Sequence, residues 1–89
     1  MLSKRLTIPN KLGLHARAAA KLVALASTFQ SEIQVEKDAR KVNGKSIMGV
    51  MMLAASQHST VAVTASGNDE KEAVAAIENL VNNYFDEDE

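Results

Sequence analysis

The chain contains no cysteine and no tryptophan, and its 89 residues include one proline, four glycines, two phenylalanines and one tyrosine. Without cysteine there can be no disulfide framework, no thiolate metal site and no cysteine nucleophile, a composition that fits a reducing compartment. With Phe29, Phe85 and Tyr84 as the whole aromatic complement, no platform exists on which bases could stack. An excess of charge of one sign is also missing. Ten basic and eleven acidic side chains leave a formal net charge of -1, which argues against nucleic acid as the main partner. No long apolar run is present, and the N-terminal segment alternates like a strand. Neither a membrane span nor a signal peptide is therefore expected, and the expected setting is the cytoplasm.

A hydrophobic content of 46% with 24% charged residues describes one domain over residues 1–89. Its core is thin, and a stability of about 5 to 10 kcal/mol is expected for it. From Leu2 to Ile8 the residues alternate, with Leu6 and Ile8 on one face and Arg5 and Thr7 on the other, the period of a half-buried strand. Pro9, Asn10 and Gly13 break it. From Ala16 to about Phe29, Ala19, Leu22, Val23 and Ala26 fall on one stripe of an alanine-rich amphipathic helix.

Ile33 and Val35 alternate with Glu32, Gln34 and Glu36, and Val42 follows the turn residues Lys37, Asp38 and Ala39, so residues 31–43 read as a hairpin ended by Gly44. Ser46 is a good N-cap for a short helix from Ile47 to about Leu53, and residues 54–58 read as a loop. Thr60 to Ala65 is a further alternating strand. The last helix then starts at Asp69, with Glu72 placed to complete a capping box and Ala73, Ile77, Leu80 and Tyr84 as its buried stripe. The acidic tail Asp86, Glu87, Asp88 and Glu89 is expected to be solvated. This order predicts an α+β open-faced β-sandwich (βαββαβα), a four-stranded antiparallel sheet covered on one face by three helices.

Gly13, Leu14, His15, Ala16 and Arg17 sit where the first strand gives way to the first helix. The first amides of a helix lack partners and carry partial positive charge, which suits an anion. A neutral imidazole there has a free ring nitrogen able to attack phosphorus, giving a reactive phosphoramidate. Arg17 adds a permanent charge and a planar fork of donors, and the amides of Ala16 and Arg17 add backbone donors. A histidine at a helix start is also a plain cap, so position alone leaves nucleophile and cap both open. The other histidine, His58, lies in a loop without a local ligand cluster, so no metal site is expected. No paired carboxylates, P-loop or nucleophilic triad can be assembled either.

The run Lys11, Leu12, Gly13, Leu14, His15, Ala16, Arg17, together with Asn43, Gly44, Lys45, Ser46, Ile47, Met48, Gly49, Val50, Met51, strongly resembles the HPr family of phosphocarriers of the phosphoenolpyruvate-dependent phosphotransferase system. The resemblance extends over essentially the whole chain. It implies that His15 accepts a phosphoryl group on Nδ1 from phosphorylated enzyme I and passes it to a histidine of an enzyme IIA protein, with Arg17 steadying the charge. It implies a phosphoryl carrier rather than a stand-alone enzyme, with no metal or organic cofactor. Many relatives have proline where this chain has Ala18, which predicts a slightly less rigid but active site. Ala18, Ala19, Ala20, Lys21 and the ending Asn82 to Glu87 resemble the nitrogen-related members, called NPr, a regulatory branch; a general sugar-uptake HPr is the alternative.

Ser46 reads as an N-cap, and in part of the family the matching serine is phosphorylated by an HPr kinase/phosphorylase, which makes it a candidate regulatory site. Ile47, Met48 and Met51 form a candidate partner-docking patch, since Val50 and Leu53 can supply the buried face of the short helix and methionine adapts to several partners. Lys21, Lys45 and Arg17 would give that patch a basic rim. A monomer is expected, because a carrier needs its His15 face open. A docking-only module switched at Ser46, with His15 merely a cap, is the rival from another functional class.

Overall fold

The computed structural model describes residues 1–87. Alternation around Leu6 produces β1 (Leu2–Thr7), which pairs antiparallel with β4 (Thr60–Ser66), from Leu2 opposite Ala65 to Thr7 opposite Thr60. On its other side β4 pairs antiparallel with β2 (Glu32–Lys37), which in turn forms a hairpin with β3 (Arg40–Asn43). The strand order is β1-β4-β2-β3. Period-two alternation sends Leu6, Ile33, Val35, Val61, Val63 and Ala65 to one face, where all are buried. Arg5, Thr7, Glu32 and Thr60 on the other face are exposed.

The buried face is covered by α1 (Ala16–Ala26), α2 (Ile47–Met52) and α3 (Glu70–Asn82). From α1 come Ala18, Ala19, Leu22, Val23 and Ala26, and from α3 Ala73, Val74, Ile77 and Val81, all buried. The smallest extent of the molecule is 20 Å, which accommodates one sheet and one layer of helices. The architecture is therefore the expected open-faced α+β sandwich.

Several boundaries differ from expectation. The α1 helix stops at Ala26 because Thr28 turns back, its amide and its hydroxyl both donating to the Leu25 carbonyl. Phe29 is thus half-buried in a turn, not helical. The hairpin turn has two residues, not three: Lys37 pairs with Arg40, while Asp38 and Ala39 take φ values of 51° and 68°, the twist that matches the flanking strands. Within α3, Ala73 and Ile77 are buried as expected, but Leu80 is only partly buried and Tyr84 is exposed. The helix ends at Asn82 and the chain reverses hand, with φ of 59°, 53° and 62° at Tyr84, Phe85 and Asp86. That left-handed turn rotates Phe85, not Tyr84, into the core, where it is fully buried.

The expected capping box at Asp69 does not form. Its carboxylate leaves its own helix uncapped and clamps the α1–β2 loop, accepting from the Gln30 amide at 2.8 Å, the Ser31 amide at 2.9 Å and the Ser31 hydroxyl at 2.5 Å. Glu70 reaches back to the Gly67 amide instead, at 3.2 Å, and Glu72 is exposed. The Ser31 hydroxyl and then the Gln30 amide hold the Asp69 carboxyl below its ordinary pKa, against a smaller opposing effect of burial.

A carboxylate whose pKa is depressed on folding contributes stability above its unfolded value, about 4, and that contribution vanishes as the pH falls through the folded-state pKa. Asp69→Asn should accordingly lower Tm at pH 7, and the gap to the unmodified chain should close as thermal melts are taken to progressively lower pH beneath 4.

Candidate functional site

Between β1 and α1 the chain must turn sharply, and the loop of residues 54–58 provides the wall against which it does so. Ile8 exchanges backbone bonds with that loop's end, its amide donating to Ser59 at 2.8 Å and its carbonyl accepting from His58 at 2.7 Å. Asn10 is fully buried. Its carbonyl accepts from the Gly13 amide at 3.1 Å, and its Nδ2 donates to the Gly13 carbonyl at 2.8 Å, so side chain and backbone close one turn together. Gly13 has φ of 65°, and a Cβ there would lie 2.3 Å from the Ala55 carbonyl oxygen. Only glycine meets both conditions. The Leu14 amide then donates to that same Ala55 oxygen at 2.8 Å, and α1 begins at the next residue but one.

His15 is the N-cap of α1, with extended φ and ψ of -73° and 178°. Its carbonyl accepts from the Ala19 amide at 2.8 Å. Its ring does what a serine or aspartate does at such a place: Nδ1 accepts from the Arg17 amide, at 3.3 Å. The lone pair of Nδ1 therefore points at the first turn of α1, where the orphan amides lie. A phosphoryl group bonded to Nδ1 would meet the amides of Ala16 and Arg17, with the exposed Arg17 side chain nearby.

The other ring nitrogen is engaged by a residue that sequence reasoning placed in solvent. Nε2 of His15 lies 2.5 Å from Oε2 of Glu87. Asn10 Nδ2 donates to the second oxygen of that carboxylate, Oε1, at 3.0 Å. A carboxylate only accepts, and Nδ1 is already an acceptor, so Nε2 is the nitrogen that carries the proton and donates. Burial works against ionisation of Glu87, but the hydrogen bonds from His15 and Asn10 and the charge of Arg17 outweigh it, holding the pKa below the ordinary carboxylate value. The left-handed turn at Tyr84–Asp86 delivers Glu87 to the site, and Lys21 fastens that turn, Nζ donating to the Phe85 carbonyl at 2.9 Å. Of the rest of the acidic tail, Asp86 is exposed, while Asp88 and Glu89 lie outside the described residues.

The remaining candidates divide. Ser46 is the N-cap of α2, its hydroxyl accepting from the Gly49 amide at 3.1 Å. Ile47, Met48 and Met51 are exposed, Met48 to 73%, whereas Val50 and Leu53 are buried, and α2 packs beside α1. The basic rim is narrower than expected: Arg17 is exposed, but Lys21 is tied to Phe85 and Lys45 donates to the Phe29 carbonyl at 2.7 Å. His58 is exposed, and no group of three metal-ligating side chains occurs among the described residues. No helix among them is long and apolar enough to cross a membrane. The sequence marked Asn10 only as a turn residue beside Gly13, and its bond to Glu87, like that of Glu87 to His15, left no signal because the partners lie at opposite ends of the chain.

Comparison with known proteins shows the family of the chain. Residues 2–83 match a family model described as "PTS HPr component phosphorylation site". The chain is 51% identical to the phosphocarrier protein HPr of Neisseria meningitidis over 89 residues, the whole of both chains. Among solved structures, an HPr from Thermoanaerobacter tengcongensis superposes with a TM-score of 0.96 at 49% identity, over all of both chains. A structure described as an HPr dimer from the same organism superposes with a TM-score of 0.79 at 50% identity, covering 98% of this chain and all of that one.

Replacing Gly13 by alanine adds a left-handed penalty and a backbone clash with Ala55. Urea unfolding of Gly13→Ala should show a loss of about 2 kcal/mol or more; a change within error would mean that the turn does not depend on glycine.

Proposed function

As a member of the HPr family of phosphocarriers of the phosphotransferase system, this chain, we propose, carries its phosphoryl group on Nδ1 of His15, taking it from phosphorylated enzyme I and passing it to a histidine of an enzyme IIA protein. The observation that carries the assignment is the acceptance by Nδ1 of the Arg17 amide at the start of α1. The ring nitrogen that carries no proton is the one that faces the helix amides. On transfer the Nδ1 lone pair forms the new bond to phosphorus while the donor's bond to phosphorus breaks, its electron pair staying with the donor. Little covalent chemistry is asked of the protein, and the work is positioning and charge. The amides of Ala16 and Arg17 and the Arg17 guanidinium hold the phosphoryl oxygens.

Docking of both partners is assigned to Ile47, Met48 and Met51, an exposed apolar strip beside α1, with the exposed Arg17 contributing positive charge at its margin and the ammonium of Lys21, though bonded to the Phe85 carbonyl, adding to it. Ser46 lies at the head of the same helix. Phosphorylation there by an HPr kinase/phosphorylase would place a charge of about -1.5 to -2 next to the apolar strip and oppose docking. The carrier works as a monomer, with the His15 face open. The Ala18, Ala19, Ala20, Lys21 run and the Asn82 to Glu87 ending favour the nitrogen-related regulatory branch over general sugar uptake.

The test is phosphotransfer from phosphoenolpyruvate through purified enzyme I of the sugar type and of the nitrogen type, followed by intact mass and acid lability. An acid-labile phosphate absent from His15→Ala is expected, with faster loading from the nitrogen-type donor. No phosphate from either donor overturns the assignment. In the same assay Met48→Asp should raise KM for both partners about tenfold, the scale of one lost interface anchor, with an unchanged Tm.

A further inference from the structure

The contact between the C-terminal segment and His15 lies outside the machinery just described. Three features mark it as built. The turn that brings Glu87 into place keeps three consecutive non-glycine residues, Tyr84, Phe85 and Asp86, at positive φ, a conformation that L-residues adopt only at a cost. That cost is met by burial of Phe85 and by the bond from Lys21 to its carbonyl. Asn10, fully buried, directs Nδ2 to both the Gly13 carbonyl and Glu87 Oε1, while its Oδ1 finds no partner among the described residues. An orphaned buried oxygen is not what stability alone selects. Finally, the Glu87 side chain is only 12% exposed, and it meets the far nitrogen of the ring from the one that faces α1.

We propose that Glu87, held by Asn10, is a positioning residue of the carrier reaction, fixing the proton of His15 on Nε2 so that Nδ1 is the nitrogen that accepts phosphorus. The inference rests on the reading of His15 as the carrier. Its chemistry balances without any further reactant. As Nδ1 bonds to phosphorus and the donor's bond breaks, the Nε2 proton stays on the ring. The phosphorylated imidazole is then cationic, and the Glu87 carboxylate stands against that charge. When the group moves on, the electron pair of the N–P bond returns to Nδ1 and the ring departs as neutral imidazole, a far better leaving group than imidazolate. The acceptor's nitrogen forms the new bond to phosphorus. Throughout, Glu87 orients and neutralises but takes no proton, in the manner of a carboxylate behind a catalytic histidine.

The discriminating variant is Glu87→Gln. Asn10 Nδ2 and His15 Nε2–H are both donors, and an amide offers them one oxygen and one NH2 group, so it cannot satisfy both as the carboxylate does. The expected result has two parts. By 15N NMR of the unphosphorylated protein, the His15 ring gains a population protonated on Nδ1, and Glu87→Ala loses the downfield Nε2–H resonance. In rapid-quench transfer from phosphorylated enzyme I, Glu87→Gln slows loading at saturating donor roughly tenfold, the worth of one charge-assisted hydrogen bond, with KM unchanged. A merely structural tail would leave the tautomer in place. Unaltered ring resonances in both variants, or loading as fast as or faster than in the unmodified chain, overturn the proposal. An unmodified chain that takes up no phosphate would fail the carrier reading instead, and the NMR arm, which needs no donor, decides the role of Glu87 separately.

Discussion

The Ala55 carbonyl oxygen is the fixed point of this molecule's working end. It accepts from the Leu14 amide at 2.8 Å and leaves no room for a side chain at Gly13, so the place where α1 starts is set by a loop some forty residues away. Everything at His15 follows from that start. One residue earlier or later, the ring would lie on the side of the helix, its Nδ1 could not reach the Arg17 amide, and the orphan amides of the first turn would open onto solvent. The loop that supplies Ala55 is itself held to the other side of the turn by the paired bonds between Ile8 and residues 58 and 59. The site is thus part of how the sheet and helical layers are joined.

Packing and chemistry divide the helices between them. Ala18, Ala19, Leu22, Val23 and Ala26 anchor α1 on the sheet, and small side chains there let the helix sit close and rigid. With only Val50 buried inside its six residues, α2 keeps most of its apolar surface outside. A helix so weakly engaged is held at its ends: by the Ser46 hydroxyl on the Gly49 amide and by Arg40, whose guanidinium donates to the Met52 carbonyl at 2.9 Å. Exposed apolar area on a short helix fixed at both ends is what a surface needs to meet several partners without collapsing inward.

Strand periodicity at Leu6, Ile33, Val35, Val61 and Val63, helical periodicity through Leu22 and Val23, and the capping chemistry of Ser46 were legible because each is a local pattern whose partner lies within a few residues or on one face. His15 was legible for the same reason. Asp69 was not: its sequence context is that of a cap, yet its acceptors are satisfied by the loop at Gln30 and Ser31, and three donors there outcompete one helix amide. Tyr84 was expected in the core and Phe85 takes that place instead, because a left-handed turn without glycine carries no compositional mark. Lys21 and Lys45 read as surface charge, since nothing in the sequence shows that each ammonium reaches a backbone carbonyl.

The pair His15–Glu87 joins residues 72 apart in the chain, and the two meet only because the strands and helices between them are packed. Along the chain the glycine turn and the start of α1 come early, whereas the carboxylate follows every strand and helix that frames it. Without the carboxylate the imidazole would be held only from the α1 side, with its outer nitrogen open to water. The clasp on the ring therefore ties one end of the fold to the other, and loosening the last turn would free the outer ring nitrogen while leaving the glycine turn and its Ala55 contact in place.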